Sequence, residues 1–160
     1  MRNTLAGLLL PVLLAAQEQP KKIEDFHFDG RTIGGQHLTQ EAFRDGVLIV
    51  DLWGTWCPPC RAATPKLVAL YEQYKQHGLE IVGFAYAEDG SSDAADSVRK
   101  YGVENRITYP LLVGDPNVRQ QVPGFEAYPT LLVFGKGLHH ETTRVGFSDG
   151  SERELETLVR

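Results

Sequence analysis

The apolar positions of the chain fall into blocks of two kinds, continuous runs and helical stripes. Val47-Leu48-Ile49-Val50-Asp51-Leu52-Trp53 is apolar at every position but one. That pattern predicts a strand buried on both faces, as in a parallel sheet. Leu79 to Tyr86, rich in Ile, Val, Phe and Tyr, predicts a second strand. Between the two, Leu67, Leu70, Tyr71 and Tyr74 recur at a spacing of three to four. They mark the buried stripe of a helix that starts at Pro58 or Pro59 and ends near His77, with Gly78 as its stop. Pro65 lies inside this helix and should kink it.

The remaining blocks are shorter. Phe26-His27-Phe28, Asp29-Gly30 and Arg31-Thr32-Ile33 predict a short hairpin around an Asp-Gly turn. Thr39 to Phe43 predicts one helical turn, with Thr39 as N-cap. Glu88 to Ser92 is a loop leading into a helix from Asp93 to Tyr101, closed by Gly102. Tyr109 to Val113 is a short strand, and Asp115-Pro116 starts a helix of about two turns that Pro123-Gly124 stops. Leu131 to Phe134 is a strand turned by Gly135-Lys136-Gly137 into the more polar Leu138 to Val145, its antiparallel partner. The last helix begins at Ser151, with Glu154 completing a capping box, and buries Leu155, Leu158 and Val159. The order is β-α-β-α-(β)-α-β-β-α behind a small hairpin, without internal repeats or linkers.

At 160 residues the chain holds one ordinary domain and little more. Its 42% hydrophobic and 23% charged residues are those of a soluble globular protein. A net charge of -5 without a basic block argues against a nucleic-acid partner. Residues 1–16 read as a secretory signal: Arg2 in front, then Leu5 to Leu14, then small residues. The run falls short of the roughly 20 residues that span a bilayer, although an uncleaved anchor stays open. No cysteine follows it, which argues against a lipid anchor. Residues 23–160 form the remaining domain, placed by this signal outside the cytoplasm.

The only two cysteines stand in Trp56-Cys57-Pro58-Pro59-Cys60, between the first strand and the first long helix. A bridge closing four residues removes little loop entropy, so it makes a poor staple. A zinc site needs four ligands, and no second C-x-x-C or H-x-x-x-H pair exists. A dithiol in a strand–turn–helix context points to redox chemistry. His139-His140 reads as a pair of solvated turn residues, not as a metal site.

These residues resemble the thioredoxin superfamily, and within it the exported TlpA/ResA-type thiol–disulfide oxidoreductases. Four stretches carry the likeness: Val50 to Cys60, Pro65, Tyr128-Pro129-Thr130, and the segment from Leu79 through Val113. The resemblance implies a thioredoxin-like three-layer α/β/α fold, with a four-to-five-stranded mixed sheet and a short N-terminal hairpin. It implies that Cys57 sits exposed at a helix N-terminus as the nucleophile, with Cys60 beneath it as the resolving thiol. No cofactor beyond this redox-active disulfide and no metal is expected.

Asp51, flanked at alternate positions by Ile49 and Trp53, should point into a buried layer; the other reading is an exposed acid on an edge strand. The resemblance gives it the role of a base that shuttles the Cys60 proton. Many TlpA-type members carry Asn there, so this position follows the thioredoxin pattern. Pro129 matches the family's cis-proline, with Tyr128 presenting its backbone to an extended substrate; a trans proline beginning an edge strand is the alternative. Trp53 and Trp56 would shield the dithiol, with plain core packing the other reading for Trp53. Glu88 is either an acid that ResA-type proteins hold near the site or a solvated loop carboxylate.

The partners so implied are a disulfide-bearing protein substrate, such as an apocytochrome c or a copper-site protein, and an upstream membrane electron donor. The protein itself is expected to be a monomer. An oxidase or isomerase on the same fold is a second reading, although such oxidases usually carry a helical insertion for which this chain is too short. A copper-binding or adaptor module is a third, against which the C-x-x-C spacing and Asp51 both weigh.

Overall fold

The structure is a computed structural model that describes residues 23, 25–88, 94–148 and 150–159. The segment 1–16, residues 89–92 of the expected Glu88 to Ser92 loop and Asp93 at the start of the expected helix lie outside the described residues. No described helix is long and apolar enough to cross a membrane.

The centre is β3 (Val47–Trp53), with β4 (Leu79–Ala85) parallel to it on one side and β6 (Thr130–Phe134) antiparallel on the other. β5 (Leu111–Val113) extends the sheet beside β4, and β7 (His140–Val145) beside β6, giving the order β5-β4-β3-β6-β7. The mixed sheet expected from the resemblance is therefore five-stranded. The near-continuous apolar run of β3 follows from its place, because both of its faces are covered. Ile49 and Trp53 pack with α1 (Pro58–Tyr74), α2 (Ala94–Glu104) and α4 (Ser151–Val159) through Leu67, Leu70, Val98, Tyr101 and Leu155. Leu48, Val50 and Leu52 face the other way, onto Phe26, Phe28, Phe43 and, from α3 (Pro116–Gln120) and just beyond it, Val118 and Val122.

The N-terminal segment straps this second face from edge to edge. The Ile23 amide donates to His140 Nδ1 at 3.4 Å, beside β7. Phe26 stacks on Phe134 of β6 at 5.2 Å, and Phe28 meets Phe84 of β4 edge-on at 5.2 Å. Thr32 then bridges to Leu112 of β5.

Several local expectations change. The hairpin exists, but its strands are β1 (Asp29–Arg31) and β2 (His37–Thr39), so its turn lies at residues 32–36 and not at Asp29-Gly30. Gly30 serves close approach instead: a Cβ there would come within 2.8 Å of Leu112 Cδ2. The turn at Gln40–Phe43 is a 3-10 helix, and Thr39 flanks it without a side-chain cap bond. α2 runs through Gly102 to Glu104, since the missing side chain lets the helix settle against Leu111 Cδ1, 3.1 Å from where a Cβ would be.

Ser151 and Glu154 form no capping box. Ser151 Oγ accepts from the Ser148 amide, and the Glu154 carboxylate pairs with Arg144 of β7. Leu158 is 38% exposed, so only Leu155 is fully buried on α4. His140 is no solvated turn residue: it is buried at the start of β7, with Nε2 at 2.8 Å from Thr143 Oγ1. His139 alone faces solvent. Pro65 sits inside α1 without interrupting it.

One contact between connections is unusually tight. The Val47 amide donates to the Gly78 carbonyl at 2.9 Å, and a Cβ at Gly46 would come within 2.2 Å of that oxygen. Gly46→Ala should therefore lower stability by about 2–3 kcal/mol in a urea melt without altering the cysteine chemistry.

Candidate active site

β3 ends at Trp53, and the chain turns through Gly54-Thr55 with the Cys57 amide donating to the Gly54 carbonyl at 3.2 Å. The Trp56 indole N–H folds back onto the Tyr86 carbonyl at 3.0 Å. A side chain at Gly54 would strike that ring, 2.6 Å from Nε1. Cys57 then occupies the N-cap of α1, where a helix leaves amide groups without partners. Pro58 and Pro59 have no amide hydrogen, so the first donor available is Cys60. Its N–H reaches Cys57 Sγ at 3.3 Å. The two sulfurs form a disulfide with Cα atoms 5.3 Å apart.

Cys57 is not exposed as the resemblance implied. It is only 3% accessible and Cys60 2%, so in the disulfide state both belong to the core on the α1 side of the sheet. The cover comes in part from the loop before β6. The Tyr128–Pro129 peptide bond is cis, Pro129 is buried, and the Tyr128 carbonyl oxygen stands 3.6 Å from Cys57 Sγ.

The Tyr128 ring is the hub of an aromatic cluster. Trp56, 41% exposed, meets it edge-on at 5.8 Å; Tyr86 lies at 5.4 Å and Phe125 at 5.0 Å. Arg119 of α3 donates to its hydroxyl at 2.9 Å and covers the Tyr86 ring at 5.2 Å. Tyr86, Arg119 and Phe125 escape a sequence reading, because three separate elements bring them together and no local period marks them.

Asp51 lies on the same face of β3 as Ile49 and Trp53, and is 4% accessible. Burial pushes its carboxyl up to about 8, so it is protonated through most of the neutral range. Its strand neighbours are Gly83 and Leu131, which bring no counter-charge. Tyr109, also buried, is raised in turn, first by desolvation and then by the nearby Asp51. Glu88 remains at the surface, across a small cleft of about 130 Å³ from Trp56 that Thr55, Tyr86, Ser97 and Val98 also line. The structure thus gathers Trp56, Cys57, Cys60, Tyr128 and Pro129 in one place, with Glu88 at its margin, while Asp51 is buried on the face of β3 that carries Ile49 and Trp53.

A mixed sheet with a C-x-x-C disulfide at a helix start, faced by a cis X–Pro loop and backed by a buried acid, defines a thioredoxin-like protein. The sequence matches the Redoxin family over residues 18–118, and the chain belongs to that family. Among its relatives is the thiol-disulfide oxidoreductase ResA of Geobacillus kaustophilus, 31% identical over 78% of this chain and 70% of that protein. The ResA of Halalkalibacterium halodurans is 26% identical over 70% of this chain. This chain spans 60% of the length of that second relative. The fold is shared with a crystallised thiol:disulfide interchange protein of the thioredoxin family from Chlorobium tepidum. The TM-score is 0.74 at 23% identity, covering 91% of this chain and all of the other.

Proposed function

We propose that the protein is a thiol–disulfide oxidoreductase that reduces protein disulfides outside the cytoplasm. The observation that carries this reading is the Cys57–Cys60 disulfide at the start of α1, lying in one buried cluster with the strand that holds Asp51.

In the reduced protein, a Cys57 thiolate attacks one sulfur of the substrate disulfide. That S–S bond breaks, a Cys57–substrate bond forms, and the released substrate thiolate takes a proton. In the fraction of molecules where Asp51 is ionised, Cys60 gives it its proton and attacks Cys57 Sγ. The Cys57–substrate bond breaks, and the second substrate sulfur leaves as a thiolate that takes a proton from water. The Cys57–Cys60 bond of the present structure forms, and Asp51 returns its proton to solvent. Two electrons have passed to the substrate, so a donor of two electrons must reopen the pair. The Tyr128 carbonyl beside Cys57 gives an extended substrate segment a backbone acceptor. Trp56 and the Tyr128 ring flank that approach, with Glu88 at its outer margin. The setting proposed with it is an exported monomer, recharged by a membrane electron donor and acting on apocytochrome c or copper-site cysteines.

The test is reduction of insulin by dithiothreitol. The protein should accelerate it at catalytic concentration, and a rate equal to that of dithiothreitol alone would refute the proposal.

The Pro-Pro spacer sets the direction of electron flow. With amide hydrogens missing at Pro58 and Pro59, Cys60 N–H is the nearest backbone donor to Cys57 Sγ. A weakly held thiolate disfavours the reduced form, which makes the pair a reductant. The potential should lie nearer the roughly -270 mV of thioredoxin than the roughly -120 mV of a strong oxidant. Pro59→His restores one amide hydrogen and adds a possible cation, so its potential should rise by tens of millivolts, about 30 mV for each tenfold change in equilibrium constant. Equilibration with glutathione, wild type beside variant, measures both values. An unchanged potential would show that the spacer's missing donors do not set it.

A further inference from the structure

The backbone and the side chain of the loop at Tyr128 are anchored separately. The backbone is tied at the ends of β6 and β7: the Gly146 amide donates to the Pro129 carbonyl at 2.7 Å, and Thr130 Oγ1 donates to the Ala127 carbonyl at 2.6 Å. Neither bond touches the Tyr128 side chain, which lies half-buried beside Trp56. Among the described residues its hydroxyl has one hydrogen-bond partner, Arg119 Nη1 at 2.9 Å.

Arg119 belongs to α3, a helix of five residues that buries Val118. The start of that helix is fixed: Asp115 Oδ1 accepts from the Asn117 amide at 2.8 Å, and the Asp115 carbonyl accepts from the Tyr86 hydroxyl at 2.8 Å. The Tyr86 ring fits there because residue 114 is glycine, since a Cβ would come within 2.5 Å of it. The Arg119 guanidinium then lies over two rings at once, 5.2 Å from the centre of Tyr86 and 5.8 Å from that of Phe125. A planar guanidinium stacks on rings while donating in its own plane, a combination that lysine lacks.

Two paths of contact lead from Arg119 to the surroundings of Cys57. One runs through Tyr86, whose carbonyl accepts from the Trp56 indole at 3.0 Å. The other runs through the Tyr128 hydroxyl to a residue whose carbonyl stands 3.6 Å from Cys57 Sγ. Trp56 and the Tyr128 ring, edge-on at 5.8 Å, are the side chains that flank the substrate's approach in the function proposed above.

We propose that Arg119 is a positioning residue for protein substrates: it fixes the Tyr128 ring, and with it the aromatic surface beside Cys57 against which an extended substrate segment rests. The proposal rests on the reading of the chain as a reductase of protein disulfides. Arg119 takes no part in the exchange itself, for it meets the hydroxyl end of Tyr128 while the sulfur lies at the carbonyl end. A ring that must find its place only when substrate arrives makes the competent arrangement a fraction of the whole. Apparent affinity then falls by that fraction. The effect of Arg119 is therefore on substrate binding and not on the sulfur chemistry.

Insulin reduction by dithiothreitol, run across insulin concentrations, separates the two. Arg119→Met should raise KM for insulin about tenfold, as when the competent arrangement falls to about a tenth. Its kcat should change by less than about twofold, the mark of lost binding with unaltered chemistry. Its equilibrium constant with glutathione should likewise stay within about twofold of wild type. Arg119→Lys keeps the charge without the stacked plane and should recover part of the loss. Tyr128→Phe should raise KM by a similar factor, and adding Arg119→Met to it should raise KM no further.

An Arg119→Met protein with the wild-type KM would overturn the proposal. So would a full tenfold rise on the Tyr128→Phe background, because Arg119 would then act on the substrate directly and not through Tyr128. Should Arg119→Met fold poorly, Tyr128→Phe alone removes a single oxygen and asks the same question, and a wild-type KM there overturns the proposal as well. A wild-type chain that leaves insulin untouched is a different failure: it refutes the reductase reading, and the role of Arg119 falls with it.

Discussion

A Cys60→Ser protein, reduced and mixed with a protein disulfide, should make one attack and stop, bound to its target through Cys57. The expectation follows from position. Cys57 is the N-cap, beside the Tyr128 carbonyl at 3.6 Å and next to the half-exposed Trp56, whereas Cys60 lies one turn into the helix. In the disulfide both are covered alike, at 3% and 2% exposure, so the expected order of attack comes from their places along α1. Cys57→Ser should instead lose turnover outright, by about 10³-fold or more, as when an enzyme's nucleophile is removed. Mass spectrometry of the trapped Cys60→Ser adduct would also identify the partner. Insulin turnover at the wild-type rate by Cys60→Ser would rule out the two-cysteine cycle.

Asp51→Asn should make the protein more stable and slower at once. Folding raises the Asp51 carboxyl from 3.8 to about 8 through burial. The folded state therefore keeps a proton that the unfolded chain releases between those limits. Stability is full below about pH 4 and falls as pH rises through about 8, at roughly 1.4 kcal/mol per pH unit. By pH 7 the loss is on the order of 4 kcal/mol, a large share of a small domain's total. Asn cannot ionise, so its urea melts should lack that slope and cross above wild type on the alkaline side. Resolution of the mixed disulfide should meanwhile slow about 10²-fold or more near neutral pH, the usual worth of a placed base. Identical melting profiles from pH 5 to pH 9, a range that brackets the shifted carboxyl, would mean that Asp51 binds its proton alike in the folded and unfolded states and that folding does not raise its carboxyl.

What the sequence disclosed, and what it withheld, follows the reach of each signal. β3, β4 and β6 declare themselves through continuous apolar runs, and α1 through a stripe at a spacing of three to four, which local sequence records directly. The burial of Asp51 was legible too, since a lone acid between Ile49 and Trp53 in an apolar run has few other places to go. The hairpin turn was misplaced because Asp29-Gly30 carries a turn signature while Gly30 is needed for a contact with Leu112, far away in sequence. Gly102 misled in the same way, being a packing glycine against Leu111 and not a helix stop. Glu154 looked like a capping partner, yet it had Arg144 of a distant strand within reach. The cluster of Tyr86, Arg119 and Phe125 around Tyr128 left no trace, because each residue is ordinary in its own segment.

The strap across the sheet bears on how the molecule is presented to its surroundings. Ile23 meets His140, and His140 pairs with Phe134, which lies opposite Leu48 near the beginning of β3. The disulfide follows the far end of that seven-residue strand, about 20 Å away at the usual rise per residue. A tether placed ahead of Ile23 would therefore hold the protein by the end remote from its sulfurs. Such a tether would leave the pole that carries Trp56 and the disulfide turned toward a partner as large as another folded protein.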